Sequence, residues 1–155
     1  MEFTVKSGDP EKQRSGCVVV GVFENRKLSE SARALDELSG GYLTNLLRRG
    51  DFEGKPGQTL LLHNVPHLVC ERLLLVGGGK EKDFNENRYR DAVMAAIKCV
   101  QNTGASDAAL TLTEIEIRGR DTNWKLSQAV QAAEAALYRF DQMKSKKDDK
   151  KRALR

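Results

Sequence analysis

The sequence of 155 residues is poor in the side chains that most often carry chemistry. It has two histidines, three cysteines and one tryptophan. It contains no cysteine–histidine metal motif and no serine, threonine or cysteine nucleophile with a base at a recognisable spacing. No apolar run approaches the roughly 18 to 20 residues that a membrane-spanning helix needs. The sequence therefore predicts a globular domain outside the membrane, with no catalytic residue and no metal ligand of its own.

The N-terminal residues and the cysteines indicate a cytoplasmic protein. Residues Met1 to Lys6 do not combine a basic segment with a following apolar segment, as a secretory signal would. Cys17, Cys70 and Cys99 are an odd number of thiols at wide spacing, in or beside apolar or helical segments. Reduced and mostly buried thiols fit this pattern better than disulfides or metal ligands do.

The net charge of +4 is concentrated at the C-terminus. Residues 141–155 hold seven lysines and arginines against three aspartates, so the rest of the chain is neutral. The neutral part has no overall electrostatic signature of nucleic-acid binding, which leaves only a local basic patch open. The end of the chain is too charged and too poor in apolar groups to pack. We therefore expect residues 1–143 to form one domain and residues 144–155 to form a charged linker.

Strand-like and helix-like segments alternate along the chain. Short apolar runs between turn residues predict strands, and apolar residues repeated every three or four positions predict helices. Several strands are apolar throughout, which is typical of parallel strands covered on both faces. The order predicts the α/β class, a three-layer α/β/α arrangement around a mixed, mostly parallel sheet. Predicted strands cover residues 3–5, 17–23, 59–63, 72–76, 108–112 and 115–118, and predicted helices follow Ser29, Gly41, Asn85 and Asp121.

The run Gly77-Gly78-Gly79-Lys80 is the segment most similar to a phosphate cradle. It follows a buried strand and precedes a helix, where backbone N–H groups can hold an anion. However, Glu81 stands where a Walker loop needs serine or threonine, and Lys82 stands where a dinucleotide motif needs its third glycine. A flexible exit from the strand is the favoured interpretation, and a ligand site is the alternative.

His63 and His67 stand four residues apart, on either side of Asn64-Val65-Pro66. Two histidines at this spacing can bind zinc from one face of a helix. Pro66 excludes a regular helix here, and no carboxylate lies between the histidines. Structural or solvent-facing histidines are therefore favoured.

Three groups of cations could contact the phosphates of DNA. A nonspecific contact needs only a cation that reaches the backbone. The favoured alternative is ordinary surface charge that nearby acids balance, with Trp124 as a core anchor at the start of a helix rather than a platform for bases. The candidates are Arg48 and Arg49 with Lys55, then Lys80 with Lys82, and then Arg118, Arg120 and Lys125.

Short segments spread over residues 1–143 carry a family resemblance. The first is the opening MEFTVKSG, and the longest runs from Glu53 to His63. Together, in this order, the segments resemble the amino-terminal domain of bacterial leucyl aminopeptidases, the cytosol aminopeptidase (aminopeptidase A) family. The other segments are residues 10–15, 46–50, 71–72, 79–81, 124–125, 128–130 and 140–142.

The resemblance implies a macro-domain-like fold whose catalytic partner lies in a second, carboxy-terminal domain. In that family the second domain holds two divalent cations, manganese or zinc, which activate water and polarise the scissile carbonyl. The family signature Asn-Thr-Asp-Ala-Glu-Gly-Arg-Leu is absent, and the nearest segment, residues 102–106, lacks both acids. No catalytic residue or ligand can therefore be carried over. We expect a non-catalytic accessory domain, part of a longer cytosolic metallo-aminopeptidase that assembles as a homo-hexamer.

Two other functions stay open. Some bacterial members of the family bind DNA in recombination or transcription control, which makes the cations named above candidates for a DNA-binding surface. ADP-ribose binding is a minor alternative that rests on the macro-domain fold and the glycine run alone.

Overall fold

The computed structural model describes residues 16–105 and 107–147, with side chains as far as residue 135. The predicted strand at residues 3–5 lies outside the described residues, and so does most of the predicted linker. None of the helices in the described ranges is both long enough and apolar enough to span a membrane.

Strands and helices alternate much as predicted. The strands are β1 to β5 and the helices are α1 to α4, with short 3-10 turns at Glu81–Asp83 and Leu112–Glu114. The last helix passes residue 143, so the first residues of the predicted linker are helical, and the domain boundary stays a prediction. The bounds are β1 Val18–Phe23, β2 Lys27–Leu28, α1 Glu30–Leu38, α2 Tyr42–Arg48, β3 Thr59–His63, β4 Arg72–Gly77, α3 Glu86–Gln101, β5 Ala109–Leu110 and α4 Thr122–Lys147.

The sheet is mixed, and β1 is its central strand. On one side β1 pairs with β4 in parallel, with Val18 opposite Leu73, and β4 then pairs with β3 in antiparallel. On the other side the first residues of β1 pair in parallel with β5, and its last residues pair antiparallel with β2. Two pairings are thus parallel and two antiparallel.

Successive side chains of β1 and β4 enter two separate cores, because strand side chains alternate between the faces of a sheet. Val19 of β1 and Leu74 of β4 pack with the residues of α3 and α4. Val18 and Leu73 pack instead with those of α1 and α2. The sheet therefore lies between two helical layers, which confirms the predicted α/β/α arrangement.

The predicted helix starts are confirmed for α1 and α3. The Ser29 hydroxyl accepts a hydrogen bond from the Ala32 amide at 3.2 Å, and the Asn85 side chain accepts one from the Arg88 amide at 3.0 Å. Both are N-cap residues in extended conformation, which satisfy amides that the first helical turn leaves unpaired.

The predicted strand at residues 115–118 is wrong. Residues 112–114 form a 3-10 turn, and beyond it only an isolated bridge joins Ile117 to Arg120. The apolar alternation that predicted a strand has another cause. Ile117 is buried and Ile115 packs beside it against the core of α3 and α4, so a loop crossing a helical layer produced the pattern.

Candidate functional site

The glycine run Gly77–Gly79 lies at the carboxyl ends of the parallel strands β1 and β4, at the kind of edge where α/β sheets commonly bind ligands. Its amides are already in use. The Gly77 N–H donates to the Gln58 carbonyl at 2.7 Å, that of Gly78 to Val22 at 3.0 Å, and that of Gly79 to Gly54 at 2.8 Å. No N–H of the run is therefore left to hold a phosphate.

The run contains glycine because neighbouring chain segments approach it closely. A Cβ at Gly77 would lie 2.0 Å from the Lys55 carbonyl oxygen, and one at Gly78 would lie 2.9 Å from the Phe23 ring. All three glycines are buried. The prediction of a flexible strand exit is wrong, because the three glycines are buried, hydrogen-bonded and in close contact with neighbouring segments.

A second anion-binding geometry, in the loop before β3, is filled by the chain itself. The consecutive amides of Glu53, Gly54 and Lys55 converge on the side-chain oxygen of Gln58, at 3.3, 3.0 and 3.1 Å. Successive backbone N–H groups of this kind form a concave nest that attracts anions. Here a neutral amide oxygen takes the place of a ligand.

The N-terminus of α1 is occupied in the same manner. The Glu114 carboxylate accepts the Ser31 amide at 2.7 Å and also accepts a short hydrogen bond from the Ser31 hydroxyl. The positive end of a helix dipole favours an anion at this position. A phosphate would have to displace the carboxylate, so neither this helix end nor the glycine run supports the ADP-ribose alternative.

Trp124 anchors a small cluster of cations at the start of α4. Its ring is half-buried against the Tyr89 ring, with 6.0 Å between centroids. The guanidinium of Arg120 lies 5.0 Å from the ring centre of Trp124, and that of Arg90 lies at 5.7 Å. Arg120 also pairs with Glu86 at 2.7 Å. Two guanidinium groups thus flank the indole, and one of them is neutralised by a carboxylate.

Lys125 does not belong with the surface cations. It is only 7% exposed, and its ammonium donates to the Ile115 carbonyl at 2.9 Å. Its own carbonyl accepts the Tyr89 hydroxyl at 2.6 Å, and burial raises the pKa of Tyr89. The Lys125 ammonium thus joins the 112–118 loop to α4 and is not available to a ligand at the surface.

The other seven predicted cations are exposed and fall into two groups. Arg118 and Arg120 lie in the loop before α4. The second group collects at the carboxyl edge, because α2 leads directly into the loop of Lys55, and Pro56 in that loop contacts Gly79. In this second group Arg49 pairs with Asp51 at 3.6 Å and Lys55 with Glu53 at 3.5 Å. Within the described residues no ion pair involves Arg48, Lys80 or Arg118.

The described residues do not fit a bound metal ion. In the part of the chain that the structure describes, no three or more histidine, cysteine, aspartate or glutamate side chains converge on one point. His63 and His67 are both exposed. The buried Asp36 accepts the Thr44 amide at 2.9 Å and its hydroxyl at 2.5 Å. Burial raises the pKa of the Cys17 thiol to about 11, which keeps the thiol protonated at neutral pH.

Solved structures of low sequence identity share this architecture. A macrodomain of Mycobacterium tuberculosis DarG has a TM-score of 0.65 at 12% identity, covering 85% of this chain and 90% of that one. A tomato leucine aminopeptidase mutant has a TM-score of 0.62 at 21% identity, covering 84% of this chain and 27% of that one. The protein therefore belongs to the class of macro-like α/β domains, as predicted.

The sequence comparisons are more specific. The family model described as the N-terminal domain of the cytosol aminopeptidase family matches residues 19–147. A probable cytosol aminopeptidase from Pseudoalteromonas atlantica is 56% identical over all 155 residues. The chain belongs to the cytosol aminopeptidase family and corresponds to its N-terminal domain. It spans 31% of the length of that relative.

Proposed function

We propose that this chain is the non-catalytic accessory domain of a cytoplasmic, metal-dependent leucyl aminopeptidase. Its main partner is the carboxy-terminal catalytic domain of the same polypeptide, and the full-length protein is a homo-hexamer. The match to the family's N-terminal domain over residues 19–147 carries the proposal. Two divalent ions, manganese or zinc, supply a Lewis acid and an activated water in the catalytic domain.

The state of the acidic side chains in this chain supports a non-catalytic role. Three carboxylates already bind groups of the protein. Asp36 accepts a hydrogen bond from Thr44, Glu114 accepts one from Ser31, and Glu86 forms an ion pair with Arg120. A carboxylate needs free lone pairs and neighbouring ligands to hold a divalent ion. These three side chains therefore stabilise the fold and leave hydrolysis to the catalytic domain.

The first prediction concerns hydrolysis. The purified 155-residue chain is expected to release no p-nitroaniline from leucine p-nitroanilide above the rate without protein, with or without added manganese or zinc. Full-length enzyme from a 56% identical relative serves as the positive control. Metal-dependent turnover by the purified chain that survives a second, different purification would disprove the proposed role.

DNA binding is a second candidate function. It is supported by the cations at the carboxyl edge, among which Arg48 and Lys80 have no ion pair within the described residues. Lysine and arginine side chains that face solvent can each neutralise one phosphate and release a counterion. The acids that pair with Arg49 and Lys55 limit the affinity, so we expect weak, nonspecific binding.

The second prediction concerns the salt dependence of DNA binding. The double variant Arg48→Ala/Lys80→Ala is expected to reduce the slope of log K against log salt by about two, because each lost phosphate contact removes about 0.9. Fluorescence anisotropy of a labelled duplex measures this slope. Arg118→Ala, in the loop before α4 and likewise without an ion pair among the described residues, is the matched control and should leave the slope unchanged. A slope that is the same in all three proteins assigns the attraction to the C-terminal tail instead.

A further inference from the structure

The outer edge of β3 is unprotected within the described ranges. β3 is the last strand of the path β2-β1-β4-β3, and no described strand pairs with its other side. Natural edge strands are usually blunted by a charged residue, a proline or a bulge. The strand Thr59–His63 has the sequence TLLLH and contains neither a charged residue nor a proline.

The register shows which backbone groups face outward. The Gly77 amide donates to Gln58, and the Asn64 amide donates to Glu71, so residues 58 and 64 hydrogen-bond towards β4. Hydrogen-bonding direction alternates along an antiparallel strand, which assigns residues 60 and 62 to β4 as well. The N–H and C=O groups of Thr59, Leu61 and His63 therefore point away from the sheet.

The side chains of β3 show what kind of strand would complete this edge. Leu60, Leu61 and Leu62 are each only half-buried. Leu61 lies against the core of α3 and α4, whereas Leu60 and Leu62 lie against the core of α1 and α2. Apolar side chains thus remain partly exposed on both faces of the sheet at its edge. A fitting neighbour is uncharged and brings apolar side chains on both faces.

The two ends of the chain do not have this composition. In the N-terminal sequence MEFTVK, the apolar phenylalanine and valine alternate with polar residues, so a strand of this sequence would be apolar on one face only. The last eight residues, DDKKRALR, are mostly charged. The strand β3 itself, TLLLH, is uncharged and has apolar side chains for both faces. An antiparallel copy centred on Leu61 places leucine opposite leucine at three positions and threonine opposite histidine at the two ends.

We infer that two copies of this chain pair through β3, edge to edge and antiparallel, around a two-fold axis at Leu61. Leu61 faces Leu61 of the other copy, and Thr59 faces His63. The outward N–H and C=O groups of these three residues form the new hydrogen bonds, and the leucines are covered on both faces. A contact of this size is weak and concentration-dependent. It concerns the 155-residue chain alone, so it can fail while the proposed accessory role stands.

A charge cycle at positions 59 and 63 tests this register. Both side chains are exposed, and four residues along one strand separate them by about 13 Å, too far for strong interaction within one copy. In Thr59→Lys/His63→Lys, like charges face each other twice across the two-fold axis. In the matched control Thr59→Glu/His63→Lys, opposite charges face each other. Sedimentation velocity is expected to show about a tenfold weaker dimer for the first variant and no weakening for the second.

Amide hydrogen exchange tests the edge itself. The amides of Leu61 and His63 are expected to exchange rapidly at about 5 µM and slowly at about 500 µM, because only the dimer pairs them. His63→Pro removes an outward N–H and should weaken the dimer, whereas His63→Ala keeps that N–H and should not. Circular dichroism confirms that each variant folds.

Three results would overturn the inference. One is a chain that stays monomeric up to about 500 µM. Another is an equal loss of dimer in the two charge variants, because the register would then be different. The third is slow exchange of both amides in the monomer, which would mean that another segment of the same chain covers β3.

Discussion

Gly77→Ala is expected to lower the free energy of unfolding by more than about 3 kcal/mol, because the new methyl group has no space. Its Cβ would lie 2.0 Å from the Lys55 carbonyl oxygen and 2.7 Å from the Gly54 carbonyl carbon. Both contacts are with backbone, which cannot move aside as a flexible side chain can. The loop before β3 must therefore separate from β4 to admit the methyl group, and urea denaturation measures the cost.

Gly57→Ala is the matched control for Gly77→Ala. Gly57 belongs to the same loop and has φ of +77°, but nothing lies within 4 Å of an added Cβ. Its substitution should cost about 1–2 kcal/mol from the left-handed backbone alone. If Gly77→Ala costs no more than this control, the close backbone contacts between Gly77 and the loop before β3 are incorrect.

Asp36→Ala is expected to lower the free energy of unfolding by about 2–4 kcal/mol. Asp36 lies in α1 but caps α2, whose own N-cap position is Gly41 and has no side chain to do so. The carboxylate accepts both the amide and the hydroxyl of Thr44. Removing it leaves two donors without a partner at a position where Asp36 is only 9% exposed. Chemical denaturation with an unchanged m-value would measure this loss.

Asp36→Asn separates the hydrogen bonds from the charge in this test. The amide oxygen can still accept the Thr44 N–H, so this variant should lose only about half as much stability as Asp36→Ala. Equal losses in the two variants would mean that the negative charge at the helix N-terminus, rather than the hydrogen bonds, is what stabilises α2. A loss below about 1 kcal/mol in Asp36→Ala would contradict the capping role.

Local chemistry made much of the fold predictable. The apolar runs of β1 and β4 and the N-cap residues Ser29 and Asn85 act through neighbours within a few positions, and all of them were predicted correctly. The segment 115–118 was not, because Ile115 and Ile117 alternate with polar residues in a loop that crosses a helical layer. An alternating pattern shows which side chains are buried but cannot show whether a hydrogen-bonded neighbour strand exists.

The contacts at the candidate site were harder to predict. Glu114 accepts a hydrogen bond from Ser31, which lies 83 positions away in the sequence. The Lys125 ammonium donates to the Ile115 carbonyl, and the Lys125 carbonyl accepts the Tyr89 hydroxyl. Nothing in the spacing of these residues signals the pairing. Gln58 is closer to its partners, the amides of residues 53–55, and a turn rich in glycine and proline was its only sequence signal.

Periodicity, caps and turn residues were enough to define an α/β domain, and the family resemblance was enough to identify the N-terminal domain of the cytosol aminopeptidase family. Those features depend on neighbouring residues or on whole segments, which a sequence displays directly. Tertiary structure alone decided that the amides of the glycine run are already hydrogen-bonded and that Lys125 is buried. It also decided that, in the described ranges, no strand pairs with the outer edge of β3. Each depends on which distant segments meet, and burial and hydrogen bonding then determine whether a charge or an amide remains available to a ligand.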